Sequence, residues 1–198
     1  MLAPRTVKIL IALFLAMTGG TLVLTWLDVE PIRAPGTHLT AVAFAEESPL
    51  AVVTSTKRPL NILKWRNIVI HGSAEGAATV GNCHFVVEPA DTNNPLGIRA
   101  NGAWMDQAES PHVPPGPGPN WGKDTIGVCM VGDFSLSPPS DEQWKALVKL
   151  VTDLQKKCNV PASQVYLYRT IRGSSSPGAA FPEEEFNKAL DHTVRGRD

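Results

Sequence analysis

The chain has 198 residues, with 18 Lys and Arg against 19 Asp and Glu, for a formal net charge of −1. That balance leaves no basic surface for nucleic acid, and 43% apolar with 19% charged residues excludes wholesale disorder. The length fits one domain plus appendages. Three cysteines (Cys83, Cys129 and Cys158) are too few and too widely spaced for a disulfide scaffold or a cysteine-rich zinc module.

The first element is Ile9–Leu27, 19 positions without a charge, preceded by Arg5 and Lys8 and followed by Asp28 and Glu30. About 20 apolar residues cross a bilayer core as a helix, and the positive flank belongs on the cytoplasmic side. Residues 1–30 therefore read as a signal-anchor transmembrane segment. A single-pass membrane protein with its domain outside the cytoplasm follows. The alternative is secretion after cleavage near Ala45, where Ala43-Phe44-Ala45 has the small-x-small form of a cleavage site. Both readings export the chain. Residues 31–60, with Pro31, Pro35, Pro49 and Pro59, read as a flexible tether, and 61–194 as the compact domain.

Within that domain, Trp65–His71 reads as a buried strand ending in a histidine, and Cys83–Glu88 as a second, β-branched and aromatic strand. Gly97–Gln107 supplies one or two more. His112–Lys123 is a Pro/Gly loop. Thr125–Gly132 is a continuous apolar run, the pattern of a central strand buried on both faces. Ser140 with Gln143 forms a capping box, and Trp144, Leu147, Val148, Val151 and Leu154 give a helical apolar stripe. Lys156 and Lys157 suit the helix C-terminus, and Asn159 and Pro161 stop it. Val165–Tyr168 reads as a short strand. Pro182-Glu-Glu-Glu-Phe186 opens a last helix. The fold class is thus α/β, a central mixed β-sheet with flanking helices behind an N-terminal transmembrane helix.

Several segments occur in a telling order. They are Ile68-Val-Ile-His71-Gly-Ser, His84-Phe-Val-Val, Trp104-Met-Asp-Gln107 with His112, Ile126-Gly-Val-Cys-Met-Val-Gly-Asp-Phe134, and Tyr168-Arg169 with Ser176-Pro-Gly178 and Phe181-Pro182. This order resembles the zinc N-acetylmuramoyl-L-alanine amidase and peptidoglycan recognition protein superfamily over about residues 61–190. The resemblance implies a mixed sheet with a groove along one face. It also implies a zinc held by three protein ligands with water in the fourth position, the metal polarising the scissile amide.

Carried over residue by residue, the first ligand position is His71. The second and third hold Tyr168 and Ser176, where the family has a histidine and a cysteine or aspartate. A phenol with a pKa of about 10 stays protonated near neutrality, and serine is a poorer ligand still. Two further family catalytic positions are also substituted. Cys83 stands where a tyrosine is usual beside the metal, and Ser174 where a Thr or Lys is usual. His71, Trp104, His112, Trp121 and Arg169 are the candidate groove and substrate contacts. The resemblance therefore implies a zinc-free, non-hydrolytic domain with no cofactor, binding peptidoglycan or muramyl peptides. Two alternatives stand beside it: an active amidase with a non-standard metal site such as His71, Cys83 and His112, and a structural or protein-interaction domain. Cys83 with His71 as a nucleophile–base pair is a further idea. His84, next to Cys83 on its strand, is expected to face away from the groove.

Overall fold

A computed structural model describes residues 48–73, 80–114 and 121–195. The N-terminal anchor segment, the Leu39–Ala45 stretch and most of the Pro/Gly loop lie outside the described residues. Among the described residues no helix is long and apolar enough to cross a membrane.

Helix α1, Pro49–Thr54, comes first, capped by the Ser48 side chain. The stretch read as a tether thus contributes to the core, because Val53 is fully buried and its carbonyl accepts from the Trp104 indole at 3.0 Å. Strand β1 is Asn67–Ser73, β2 is Phe85–Val87 and β3 is Ile98–Ala100. Of the one or two strands expected over Gly97–Gln107, one forms, and a short helix α2, Gly102–Met105, follows it. Asn101 ends the strand by turning its side chain onto the carbonyls of Val80 and Cys83, and the helical turn drops Trp104 into the core. Strand β4 is Thr125–Val131, helix α3 is Asp141–Cys158, β5 is Val165–Leu167, α4 is Tyr168–Arg172 and α5 is Glu183–Arg195. Tyr168, read as strand, opens α4 instead.

The five strands form one mixed sheet in the order β3-β2-β4-β1-β5. β4 is parallel to both β1 and β2, β1 is parallel to β5, and only β2 and β3 run antiparallel. Alternation along the strands sorts the side chains onto two faces. Ile68 and Ile70, Phe85 and Val87, and Ile126, Val128 and Met130 meet Leu147, Leu150, Val151 and Leu154 of α3 and Phe186 and Leu190 of α5 in one core. The residues between them, His71 on β1 and Gly127 and Cys129 on β4, are left for the face turned away from α3. Helix α3 forms as its sequence dictates. Ser140 Oγ accepts from the Gln143 N–H at 3.2 Å, and Asn159 closes the helix in the left-handed conformation at φ 54°.

Candidate functional site: a cleft beside His71

A cleft of about 270 Å³ opens on the sheet face away from α3, lined by residues of three regions. β1 and β4 supply His71, Gly72, Ser73 and Cys129. The segments before β2 and β4 supply Asn82, Cys83, Pro111, His112 and Pro114. The tail supplies Tyr168 and Ser176. Strand register explains the centre, since His71 pairs with Cys129 across β1 and β4.

Cys83 and Cys129 form a disulfide, with Cα atoms 5.9 Å apart and a sequence separation of 46. The sequence spacing, too wide for a disulfide scaffold, gave no sign of this single pairing. β2 lies beside β4, so the sheet brings together two positions that sequence spacing holds apart. It also disposes of Cys83 as a thiolate, whether as a nucleophile with His71 or as a metal ligand with His71 and His112, because its sulfur is already bonded.

The histidines form a directed relay. His112 Nε2 lies 3.2 Å from the Thr125 carbonyl, which can only accept, so that nitrogen carries the proton. His112 Nδ1 is then an acceptor, and His71 Nε2, 3.1 Å away, donates to it. His71 Nδ1 is left as the acceptor, without a hydrogen-bond partner among the described residues. Burial pushes His71 down to about 3, helped by the neighbouring His112, and pushes His112 down to about 4. Both rings are neutral at pH 7. The relay depends on Gly127, since a Cβ there would stand 2.5 Å from the His112 ring.

His84 does not line the cleft. Its Nδ1 accepts from the Gly127 N–H, its Nε2 donates to the Ala108 carbonyl, and its ring packs edge-on against Trp65. Burial pushes it to about 3 as well.

Tyr168 lays its ring against His71, with centroids 4.6 Å apart and planes 33° from parallel. Ser176 Oγ accepts from the Gly72 N–H at 2.8 Å and donates to the Gly72 carbonyl at 3.3 Å. Ser174 Oγ accepts from the Ser176 N–H at 3.1 Å, so it braces the turn. Gly72 is required here, because a Cβ would lie 2.2 Å from the Pro177 carbonyl oxygen.

The remaining candidates part company. Trp104 is wholly buried in the core and is not a groove residue. Trp121 stacks edge-on against Tyr166 at 5.1 Å. Tyr166 is in register with Val69, so this pair shares His71's sheet face without lining the cleft. Arg169 donates to the Gly178 carbonyl at 2.8 Å and pairs with Glu183 at 2.5 Å, which fastens the tail turn to α5. Sequence reasoning missed Cys129, Asn82, Pro111 and Pro114. Only Cys129 left a signal, as a cysteine in the central strand of a domain with a second cysteine at a groove position. A larger, apolar hollow of about 670 Å³ between α1, α3 and the 88–96 segment carries no histidine or cysteine.

The residues at the three implied ligand positions do not fit zinc. Zinc takes imidazole, thiolate or carboxylate, and here only His71 qualifies. Ser176 uses its proton and one of its two lone pairs on Gly72. Among the described residues no group of three or more His, Cys, Asp or Glu could hold a metal ion.

A mixed five-stranded sheet backed by two helices, with a cleft beside His71 near the end of β1, is the arrangement of an amidase-type domain. The sequence profile of the N-acetylmuramoyl-L-alanine amidase family matches residues 59–179, more than half of the chain. The chain belongs to that family, as its motif order implied. No curated protein matches it significantly. Among solved structures it is similar to the endolysin N-acetylmuramoyl-L-alanine amidase LysCS from Clostridium intestinale URNW, at 19% identity and a TM-score of 0.53, over 66% of this chain and 86% of that one. It is likewise similar to the N-acetylmuramoyl-L-alanine amidase LysC from the same organism, at 19% identity and 0.52, over 68% and 91%. At these identities the likeness is one of fold.

Proposed function

We propose that this chain is a membrane-anchored, exported member of the amidase family that binds peptidoglycan fragments without hydrolysing them. The observation that carries this reading is the fate of Ser176. The side chain that would have to ligate the metal is instead bonded at both ends to the Gly72 backbone. Loss of metal removes the means of polarising an amide, while leaving a partly preformed concave surface with a few polar groups, the usual form of a binding site. Export is supported by the apolar Ile9–Leu27 segment with its positive flank and by the Cys83–Cys129 disulfide, since such bonds persist in oxidising compartments. A tether that holds the domain near the wall raises local concentration, so weak intrinsic affinity suffices.

The test is calorimetry of the full chain in detergent with a muramyl pentapeptide, with mass spectrometry of the same mixture. Binding in roughly the micromolar to millimolar range is expected, with the muramoyl–alanine bond intact after prolonged incubation. Release of free peptide would favour the active amidase. No heat at saturating ligand would favour a structural or protein-interaction role.

A further inference from the structure

Building on that reading, we propose that the cleft beside His71 selects an uncharged hydrogen-bond donor, a carboxamide or a hydroxyl, and rejects a carboxylate or phosphate at the same position. Its described lining contains no Lys, Arg, Asp or Glu. In sequence, positions 74–79 and 115–120 hold no Lys or Arg. The cations nearby in the fold are engaged elsewhere. Arg169 is paired with Glu183 and the Gly178 carbonyl, and Arg172 donates to the Pro114 carbonyl at 2.9 Å and makes a further contact.

The histidines do not substitute for a cation. Both rings are buried with no carboxylate in the described lining to pair with a charge, so they stay neutral, and the relay from His71 to His112 to the Thr125 carbonyl then fixes both tautomers. It leaves His71 with an acceptor nitrogen, to which a ligand N–H or O–H can donate. A carboxylate brought there would meet lone pair against lone pair. It would also lose its hydration against the Tyr168 ring, the disulfide and two prolines with no charge to repay it. A carboxamide of the same size loses far less and gains a bond. Sites that hydrogen-bond a particular donor discriminate strongly against analogues lacking it.

The experiment compares two probes that differ by one group, muramyl dipeptide ending in D-isoglutamine and the same molecule ending in D-glutamate. Both are titrated by calorimetry into the full chain in detergent near pH 7. The carboxamide form is expected to bind at least about tenfold more tightly. Asn82→Lys, at an exposed position on the cleft lining, adds a cation without disturbing the core and should shrink or invert the ratio. Equal or tighter binding of the acid form by the wild type would overturn the selectivity while leaving peptidoglycan binding intact. A ratio unmoved by Asn82→Lys would overturn its assignment to this cleft. Failure of both probes to bind would overturn the peptidoglycan reading and this one together.

Discussion

The Oγ of Ser176 and the backbone of Gly72, 104 residues apart in sequence, are joined by two hydrogen bonds of 2.8 and 3.3 Å. The serine fills what the motif order marks as a metal-ligand position, and the strand end it clamps follows directly on His71. The hydroxyl fastens the tail turn to β1. The energetic sense is plain, because the half-buried Gly72 N–H and C=O need partners, and one hydroxyl serves both.

The fastening can be reversed. Tyr168→His with Ser176→Cys would place an imidazole and a thiol beside His71, a donor set suited to zinc. Zinc affinity of the folded double variant should rise sharply over wild type, and each single change should do much less. Competition against a chromogenic chelator measures it. No gain by a folded double variant would mean that the three positions do not converge on one point.

Gly127→Ala should break the histidine relay. The new Cβ would stand 2.5 Å from the His112 ring, so the ring must leave its place between His71 and Thr125. Forcing a side chain out of a packed site costs about 1–3 kcal/mol, read from denaturant midpoints. Muramyl-peptide binding should fall with it. Wild-type stability and binding in this variant would show that His112 has room elsewhere and that the relay is dispensable.

Acid should destabilise the domain early. His71, His84 and His112 are held neutral, with values lowered from 6.5 to about 3, 3 and 4 by burial. Below pH 6.5 the unfolded chain binds protons that the folded chain refuses, so stability is full above 6.5 and falls as pH drops toward the folded values. Each histidine contributes a slope of up to about 1.4 kcal/mol per pH unit. Melting temperature should therefore decline from pH 6.5 to 4.5, a window above most carboxylate titrations. A flat profile there would contradict the neutral relay.

Opening the disulfide should cost stability without creating a nucleophile. A loop of 46 residues corresponds in the chain-entropy account to about 4 kcal/mol. Cys83→Ser with Cys129→Ser should lower the denaturation midpoint accordingly, and neither the variant nor the reduced wild type should hydrolyse a muramyl peptide. Thiol counting under denaturing conditions should find one free thiol before reduction, from Cys158.

Much of the fold was legible because its signals are local. The apolar run at Thr125–Gly132 is the central strand, and Ser140, Gln143 and Asn159 mark the ends of α3 where the structure has them. The site was legible as a neighbourhood, since the motif order brought His71, His112, Tyr168 and Ser176 to one cleft. What failed to show was whatever depends on tertiary register. Trp104 resembled a rim aromatic until the turn after Asn101 carried it into the core. Cys83 and Cys129 looked unrelated until β2 lay beside β4. The tautomers of His71 and His112 are set by a carbonyl of β4 that no spacing rule reveals.

The most direct measurement is the zinc content of the full chain, purified in detergent without chelators from zinc-supplemented cells and counted by mass spectrometry. The donor set of His71, Tyr168 and Ser176 predicts zinc well below one per chain, and no rise in melting temperature on adding zinc. One tightly bound zinc per chain, lost on His71→Ala, would contradict the account and make the protein a metalloamidase with an unusual ligand set.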